Sequence, residues 1–397
     1  MVWSADGGEA LAWLTIDAVA VTTRLRTILV DAVHDGLGDA TVPVLVCASH
    51  THSAPQGWNG DIHPALTGEP DDVMTAELAS HVRALAEQVG AGPATPVAPR
   101  WISDVIRGLG ANRHRPDGPH DPTAGILVLA HAHTGIAQVV VVDFASHPTV
   151  LPATNLQWSA DWPGAGRAVA RSAIQAAASS FTGDATEPSI VFLQGAAGDA
   201  SPRFVRRTAD FAEVARLGSI FGGAVAALSQ RARPLPDEGF RTWRHAMVLR
   251  TRRLPSPDEA RAVVDACVAD REAAGPDPND PRTRLLQTRL EGARVQLAMA
   301  TGSPPTTVEL PVTIVSVADI AWVHVPLELY ASLGLRIKAE SPFSNTRVVG
   351  YTDGYFGYMA DRDAHAAGTY EALSSLFDAD TSEAFITDVI TALHHAH

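Results

Sequence analysis

Short apolar runs rich in β-branched residues alternate with longer amphipathic segments along almost the whole chain. The runs 41–48, 138–144 and 189–194 have the length and composition of buried strands. The segments 72–90 and 163–180 have helical length, with aspartates at the start of the first and Pro163 in the first turn of the second. Alternating strands and helices bury their apolar faces by stacking in layers. The pattern therefore predicts an α/β protein, with a layered mixed sheet flanked by helices.

Further elements follow from the same patterns. Strands are expected over 10–17, 126–131, 308–316, 320–325 and 347–350, and helices over 19–37, 209–231 and 327–340. Residues 256–301 differ, because two helical stretches flank a break at 275–281 that is rich in Gly, Pro, Asn and Asp. We interpret them as a helical hairpin inserted within about 256–303 of a single domain spanning 1–397.

The charge balance and the rarity of two residue types exclude several functions. The 397 residues include 30 Lys and Arg against 44 Asp and Glu, a net charge of −14 that disfavours nucleic acid as a partner. Cys47 and Cys267 are too few for a disulfide framework or a cysteine-based zinc site. Lys338 is the only lysine; no Walker A loop is present, and its charged helical surroundings do not suit a Schiff-base lysine. The 16 histidines direct attention to metal and acid–base chemistry.

The chain also lacks the signals of a membrane or secreted protein. It has no run of about 18 apolar residues, so no transmembrane helix is expected. Its first residues lack the charged and apolar regions of a signal peptide. A cytoplasmic protein without stable membrane insertion is expected, and self-association into a homo-oligomer is left open.

Polar clusters follow four of the predicted strands. They occupy 48–53, 145–149, 195–202 and 325–328. Ligands of open α/β sheets bind outside the carboxyl ends of the strands. The four clusters therefore predict one active site, at the carboxyl-terminal ends of the strands.

Three of the clusters contain candidate metal ligands. His50 and His52 are two residues apart, so an extended backbone would turn both imidazoles to one side. His147 follows an apolar strand and precedes a proline, and Glu328 lies at a strand-to-helix junction. Each has an ordinary alternative: surface histidines in a turn, a buried histidine bonded to backbone, and a charge that favours a helix N-terminus.

The fourth cluster, Gly195–Pro202, is a glycine-rich turn whose backbone N–H groups could bind an anion. It has neither the lysine nor the spacing of a phosphate loop, so nucleotide binding is not expected. Asp199 and Ser201 could orient a ligand or stabilise an oxyanion. The alternative is that both serve the geometry of the turn.

Together these segments resemble the neutral, non-lysosomal ceramidases, a family of zinc amidases. The motifs that carry the resemblance stand in the family's order and are 48–55 (Ala-Ser-His-Thr-His-Ser-Ala-Pro), 111–113 (Ala-Asn-Arg), 144–148 (Phe-Ala-Ser-His-Pro), 159–164 (Ser-Ala-Asp-Trp-Pro-Gly), 194–202 (Gln-Gly-Ala-Ala-Gly-Asp-Ala-Ser-Pro), 326–328 (Pro-Leu-Glu) and 370–372 (Tyr-Glu-Ala). They run through nearly the whole chain.

The resemblance implies one zinc ion per chain and a set of site residues. Matching by motif assigns the zinc ligands to His50, His147, Glu328 and Tyr370. The neighbouring non-ligand histidine would be His52, and the arginine that faces the substrate would be Arg113. Tyr370 would also help to stabilise the oxyanion, and Ser201 matches a serine implicated in activity.

The chain departs from the family pattern in ways that concern the substrate more than the metal. We expect the C-terminal β-sandwich domain of long ceramidases to have no counterpart; the family's first strand and leading loop are either absent or lost to a misplaced start codon. Ala54-Pro55-Gln56 replaces Gly-Pro-Gly, and Trp162-Pro163 stands where long ceramidases have a polar stretch. The resemblance therefore implies a ceramidase-like catalytic domain with a substrate smaller than ceramide.

The function that follows is a zinc-dependent amidohydrolase that cleaves a C–N amide bond of a small N-acyl compound with activated water. His52 could take and return the proton, while Arg113 and Tyr370 stabilise the oxyanion. Within the same chemistry, an esterase, a lactam hydrolase or an intramolecular acyl transferase stays open. From other classes come a non-catalytic ligand-binding relative, and a metallophosphoesterase using Asp143, Asp161 or Asp199. The bound-metal count separates these: one zinc, none, or two ions.

The first prediction separates the two neighbouring histidines. His50→Ala should lose most zinc, because one of three strong ligands is removed. His52→Ala should keep most zinc but turn over about 10²–10⁴-fold more slowly, as expected for a positioned acid–base group. Zinc content and rate, measured on both variants, decide the assignment. Loss of zinc in His52→Ala alone would reverse the roles, and unchanged rates in both would place the site elsewhere.

Overall fold

The protein is described by a computed structural model, which covers residues 1–4, 9–60, 69–182, 187–236, 239–275, 281–302 and 304–397. In chain order its strands are β1 (Val2–Ser4), β2 (Ala10–Ile16), β3 (Val44–Ala48), β4 (Val97–Val105), β5 (Ala111–Asn112), β6 (Thr123–His131), β7 (Ala137–Phe144), β8 (Ser189–Gln194), β9 (Ala200–Ser201), β10 (Arg233–Pro234), β11 (Arg241–Arg250), β12 (Thr307–Val317), β13 (Ile320–His324), β14 (Glu328–Leu329), β15 (Asn345–Val349) and β16 (Tyr358–Met359).

The helices within the described ranges are α1 (Thr23–Leu37), α2 (Asp72–Ala91), α3 (Asp161–Thr182), α4 (Phe211–Ser229), α5 (Pro257–Ala273), α6 (Pro281–Gly302), α7 (Ala331–Glu340), α8 (Arg362–Ala367), α9 (Tyr370–Ser374) and α10 (Ala379–Ala396). Local chemistry sets their ends. Thr22 accepts a hydrogen bond from the Leu25 N–H at the start of α1, and Gly38 ends that helix in the left-handed region. Ser256 and Glu259 form a capping box at the start of α5.

The described strands form three larger sheets, each with one parallel pair, and two two-stranded ladders. Their orders are β1-β2-β3, β10-β4-β6-β7-β8 and β11-β12-β13-β15. The parallel pairs are β2 with β3, β7 with β8 and β13 with β15. Parallel neighbours end at the same edge, so the polar residues that follow β3, β7, β8 and β15 converge. The ladders β5–β9 and β14–β16 carry Ser201 and Glu328.

The five-stranded sheet is the central layer, because both of its faces are buried. Ile126 and Val128 of β6 pack in the cluster that contains α3 and α4. Leu127 and Leu129 lie in a second cluster, shared with the three-stranded and four-stranded sheets. Successive residues of a strand point to opposite faces, so this alternation gives an apolar layer on each side. The predicted layered, mixed α/β fold flanked by helices is confirmed.

Helices α3 and α4 pack closely through glycines. A Cβ atom added to Gly222 would lie 2.4 Å from the Gly166 carbonyl oxygen, so a larger residue has no room. By length and composition, α4 is the one described helix that could cross a membrane, and the same properties suit the core helix of a globular protein. Its packing against α3 agrees with the second interpretation.

The predicted strands and most helices are observed with shifts of a few residues at their ends. The two helices of the predicted hairpin are α5 and α6, which pack on each other through Cys267, Leu290 and Ala293; residues 276–280 of the break lie outside the described part. The predictions omitted β4, β11 and α10. The strand β11 alternates poorly, with exposed Arg, His and Val side chains, and lies at the edge of its sheet.

The predicted helix over 327–340 is wrong at its start, because it begins at Ala331. Glu328 is not in a first helical turn but in β14, where its N–H donates to the Gly357 carbonyl at 2.9 Å. Tyr330 provides no side-chain cap for α7. Instead the Asp199 carboxylate, which is distant in sequence, accepts a hydrogen bond from the Ala331 N–H at 2.8 Å.

One buried amide joins the strand ends around the site. The Gln194 side chain donates to the carbonyls of Ser49, at 3.2 Å, and Ser146, at 2.9 Å. Its oxygen accepts from the N–H groups of Ser146 and Gly195, both at 3.2 Å. The Gly350 N–H, after β15, donates to the Gln194 backbone carbonyl at 2.9 Å. Gln194 therefore connects segments that follow strands of all three sheets.

The second prediction concerns this amide. Gln194→Leu conserves most of the volume but leaves buried carbonyl and N–H groups unpaired, so the free energy of unfolding should fall by about 3 kcal/mol. Gln230→Leu, at the exposed end of α4, is the control and should change it by less than about 0.5 kcal/mol. Urea unfolding with equal m-values measures both. Equal effects in the two variants would contradict the role of Gln194.

Candidate active site

Three buried side chains from separate segments meet at the strand ends. His50 follows β3, His147 follows β7 and Glu328 opens β14. The Nε2 atoms of the two histidines are 3.0 Å apart. The Glu328 Oε2 atom lies 3.2 Å from His50 Nε2 and 3.3 Å from His147 Nε2. Two imidazoles and a carboxylate thus point at one small volume.

Both imidazoles are oriented by backbone carbonyl groups. The Nδ1 atom of His50 lies 2.6 Å from the Val19 carbonyl oxygen, and that of His147 lies 2.7 Å from the Ala197 carbonyl oxygen. A carbonyl only accepts, so Nδ1 carries the proton in each ring. The Nε2 atoms are therefore left free, as lone-pair donors, toward Glu328.

The backbone at this point is unusual. His50 has φ +67° and Tyr351, whose ring stacks on His50 with centroids 4.1 Å apart, has φ +54°. Such left-handed conformations cost a non-glycine residue about 1 kcal/mol or more and persist where the surrounding structure imposes them. The bend after β3 aims the His50 ring toward His147 rather than along the strand.

The three side chains fit a zinc ion by donor chemistry and by spacing. Zinc binds His nitrogen and carboxylate oxygen at about 2.0–2.2 Å in tetrahedral geometry, which places neighbouring ligand atoms about 3.3 Å apart. The separations in the cluster lie close to that value. Because each histidine's other nitrogen is held by a carbonyl, the ligand atoms are also pre-oriented.

His52 lies directly beside this cluster. Its Nε2 atom is 3.3 Å from His50 Nε2, and the ligand atoms of His50, His52 and His147 all lie within 4.8 Å of one another. Unlike the other two, His52 has an exposed side chain, and it lines the open cleft. Desolvation, then the neighbouring His50 and His147, lower its pKa well below the usual value.

Burial and neighbouring charges also shift the other members of the cluster. Burial, then Arg113 and His50, lower the pKa of His147 to about 4, which keeps the ring neutral near pH 7. Burial alone would raise the pKa of Glu328, but His50 and His147 outweigh it and lower that pKa well below its usual range. A neutral imidazole beside an ionised carboxylate is the protonation state that a metal ligand set requires.

Tyrosines complete the enclosure of Glu328. The Tyr355 hydroxyl bonds its Oε1 atom and the Tyr351 hydroxyl lies 3.4 Å from its Oε2 atom. The Tyr370 ring, by contrast, lies edge-on against Tyr358, with centroids 5.7 Å apart. No hydrogen bond within the described part joins the Tyr370 hydroxyl to Glu328. Its predicted roles, as metal ligand and oxyanion donor, stay predictions.

Arg113 reaches the cluster from β5–β9. One of its terminal nitrogens lies 3.2 Å from His147 Nε2, and the guanidinium lies 5.5 Å from the centre of the Tyr358 ring. The Glu371 carboxylate holds Arg113 through Nε, at 2.7 Å, and a terminal nitrogen, at 2.5 Å. Burial alone would lower the pKa of Arg113, but Glu371 outweighs it and raises that pKa.

Glu371 is a site residue that the sequence arguments did not assign. Its other oxygen accepts from the Tyr330 hydroxyl at 2.9 Å and lies 3.0 Å from His114 Nε2. Burial would raise the pKa of Glu371, but Arg113 and His114 hold it far below its usual range. Its position beside Tyr370 in a matched motif was the only available signal.

The remaining predicted residues occupy different places. The Ser201 hydroxyl accepts from the Arg203 N–H at 3.3 Å and the residue lines the cleft. Asp199 accepts from the Asn112 amide at 2.7 Å, and burial raises its pKa to about 6. Asp143 pairs with Arg347, and Asp161 accepts from the N–H groups that follow Thr149. These three aspartates are therefore occupied with structural partners.

The cluster lies at the floor of a cleft of about 880 Å³. His52, Arg113, His147 and Ser201 line its base, and the segment 149–158 forms one rim. Leu156 and Trp158 in that segment are 93% and 70% exposed, so the rim is apolar and accessible. The volume suits a small organic molecule.

Two solved structures have the same fold. One, titled "Ceramidase complexed with C2", matches with a TM-score of 0.73 and 15% identity, covering 99% of this chain and 68% of that chain. The other, a neutral ceramidase from Pseudomonas aeruginosa, matches with a TM-score of 0.73 and 16% identity, covering 98% and 67%. No protein-family model and no curated protein sequence matches the chain. The predicted ceramidase-like fold is confirmed.

The third prediction tests the Arg113–Glu371 pair. Glu371→Gln leaves the guanidinium without its counter-charge. The free energy of unfolding at pH 7 should therefore fall by about 3 kcal/mol. Glu371 has a lowered pKa in the fold, so its contribution is complete above the unfolded value of about 4.3 and declines as pH falls further. The difference between Glu371→Gln and the unmodified protein should therefore be constant from pH 5 to pH 8, within about 0.5 kcal/mol, and shrink below about pH 4.

The matched control is Glu340→Gln, which breaks the exposed pair with Arg336. That change should cost no more than about 0.5 kcal/mol. Denaturant titrations at a series of pH values measure both variants. A loss in Glu371→Gln that is small, or that grows toward low pH, would contradict the proposed charge pairing.

Proposed function

We propose that this chain, with its ceramidase-like fold, is a zinc-dependent hydrolase that cleaves the C–N amide bond of a small N-acyl compound. The observation that carries the proposal is the convergence of His50, His147 and Glu328 below an open cleft. The two solved structures with the same fold both have titles that name a ceramidase, which supports amide hydrolysis. We further propose that residues 1–397 act as one catalytic domain, in the cytoplasm.

His50, His147 and Glu328 would hold the zinc ion through Nε2, Nε2 and a carboxylate oxygen. When bound, zinc supplies a Lewis acid that polarises a carbonyl group and makes water more acidic. Two neutral donors and one anionic donor would leave the bound ion with a net positive charge. Tyr370 is proposed as a weaker fourth ligand, and its effect is separable by zinc content in Tyr370→Phe.

His52 is the proposed proton carrier. Its Nε2 atom faces the same volume as the ligand atoms, and its ring is accessible from the cleft. A lowered pKa leaves the ring neutral and able to accept a proton from water. The same nitrogen can return the proton to the leaving amine, so that the products separate without charge imbalance.

Arg113 is the proposed partner of the oxyanion. Its guanidinium lies 3.2 Å from His147 Nε2, next to the reaction centre, and Glu371 fixes it from behind with Nε and one terminal nitrogen. A donor that is already oriented stabilises developing charge without reorganisation. Tyr370 and Ser201 are proposed to contact the substrate from the same side.

The fourth prediction is that the protein purified from zinc-supplemented medium contains one zinc ion per chain and hydrolyses short N-acyl amides. Dialysis against a chelator should abolish turnover, and zinc should restore it. Long-chain ceramide in mixed micelles should be a poor substrate, because the cleft of about 880 Å³ is small for two long chains. Metal analysis and product chromatography over amide, ester and lactam substrates measure these outcomes.

His147→Ala provides the test of the metal assignment, and His81→Ala, exposed on α2, is its control. The first should lose zinc and the second should retain it. Two metal ions with phosphoesterase activity, or full zinc in His147→Ala, would overturn the proposal. Efficient ceramide turnover would support the proposed amide hydrolysis but contradict the proposed small substrate.

A further inference from the structure

Three arginines line one wall of the cleft beside the candidate active site. Arg203 and Arg206 follow the β5–β9 ladder, and Arg284 comes from helix α6. We call these residues the arginine wall. Arg203 donates to the Arg113 carbonyl at 3.1 Å, and Arg206 donates to the Thr149 carbonyl at 2.8 Å. The wall is therefore adjacent to the reaction centre and two of its members are fixed by backbone.

No carboxylate among the described residues forms an ion pair with any arginine of the wall. The ion pairs of the described part instead use arginines such as Arg113 and Arg347, which have Glu371 and Asp143 as partners. Arg203 and Arg206 each donate hydrogen bonds to backbone carbonyls through one terminal nitrogen. Their other guanidinium nitrogens donate to no acceptor within the described part. Those donors face the cleft, in a protein whose net charge is −14.

The three positive charges also act on one another. Burial, then Arg113 and Arg284, lower the pKa of Arg203 to about 10. Burial, then Arg284, lower the pKa of Arg206. Glu371 partly offsets this effect at Arg203, and Asp161 and Glu213 partly offset it at Arg206, but the net shift of both pKa values stays downward. An anion in the cleft would therefore stabilise the wall. A guanidinium presents a planar set of donors that suits carboxylate, sulfonate and phosphate oxygens.

Two carboxylates, Glu69 and Asp71, line the cleft as well. Asp71 accepts the Met74 N–H as the cap of α2 and forms no ion pair with the wall within the described part. The cleft therefore contains separate positive and negative regions rather than a neutralised pair. The positive region is the one that adjoins Arg113 and Ser201.

We infer that the arginine wall binds an anionic group of the substrate, so that the preferred substrate is an N-acyl amide carrying a carboxylate, sulfonate or phosphate. This inference rests on the proposed function and narrows its substrate class. The exposed Leu156 and Trp158 on the rim suit an apolar portion of the same molecule.

Kinetics on matched amides test the inference. The substrates are N-octanoylglycine, with the anion on the amine side, N-octylsuccinamic acid, with the anion on the acyl side, and the neutral N-octanoylethanolamine. The value of kcat/KM should be about 10–100-fold higher for one of the anionic amides than for the neutral one, as charge-assisted hydrogen bonds imply. Equal or faster turnover of the neutral amide would overturn the inference.

Variants assign any preference to the wall. Arg203→Gln and Arg206→Gln should each lower kcat/KM for the anionic amide by about 10-fold more than for the neutral amide. Arg207→Gln is the matched control, because Arg207 is exposed, next in sequence and absent from the cleft lining. Equal losses on anionic and neutral amides would indicate a purely structural role and would overturn the inference.

A binding measurement keeps the inference separate from the proposed activity. Octane-1-sulfonate has no amide bond, so calorimetry with this probe does not require turnover. It should bind more tightly than octan-1-ol, weaken as salt increases and weaken about 10-fold in Arg203→Gln. If the protein binds the probe in this way but hydrolyses no amide, the proposed function is wrong and the anion site is still supported.

Two binding outcomes would overturn the anion site. One is equal affinity for octane-1-sulfonate and octan-1-ol. The other is salt-sensitive binding to phosphatidylglycerol vesicles that is lost in Arg203→Gln while the variant keeps its preference for anionic amides, since the wall would then serve a membrane surface.

Discussion

The arrangement of the strand ends depends on one interaction, the contact of the Glu328 carboxylate with the imidazoles of His50 and His147. An ionised carboxylate out of water is costly unless charges and hydrogen bonds surround it. The hydroxyls of Tyr351 and Tyr355 donate to it on one side, and the rings of His50 and His147 flank it on the other. These residues come from three segments, which follow β3, β7 and β15, so the carboxylate requires three sheets to meet at fixed positions.

The framework that meets this requirement is built from backbone as much as from side chains. The Gln194 side chain donates to the carbonyls of Ser49 and Ser146 and accepts from the Ser146 N–H. These bonds connect the segments that carry His50 and His147, so a shift of one segment disturbs the other. The left-handed conformations of His50 and Tyr351 cost energy that the surrounding bonds offset. The candidate ligand atoms of a site assembled this way are 3.0–3.3 Å apart, which suits a metal ion.

The sequence predicts features that depend on neighbouring residues better than features that depend on residues distant in the chain. Strands 189–194 and 41–48, and the polar residues that follow them, could be identified because burial and turn chemistry act over a few residues. Helix α7 could not be bounded correctly, since its first N–H is satisfied by Asp199 from another loop. The importance of Glu371 was hidden for the same reason: its charge has meaning only beside Arg113, which is 258 positions away in the chain.

The arginine wall shows the same limit, because one of its members comes from the hairpin α5–α6. From sequence the hairpin was an insertion with no chemistry, but α6 brings Arg284 to the cleft beside Arg203. The same helix supports α9, because a Cβ atom on Gly292 would lie only 3.0 Å from the Tyr370 backbone. Helix α9 carries Glu371, which fixes Arg113. Helix α6 therefore packs against the helix that carries Glu371 and also contributes Arg284 to the cleft, so under the proposed function a change in its packing should alter selectivity and rate together.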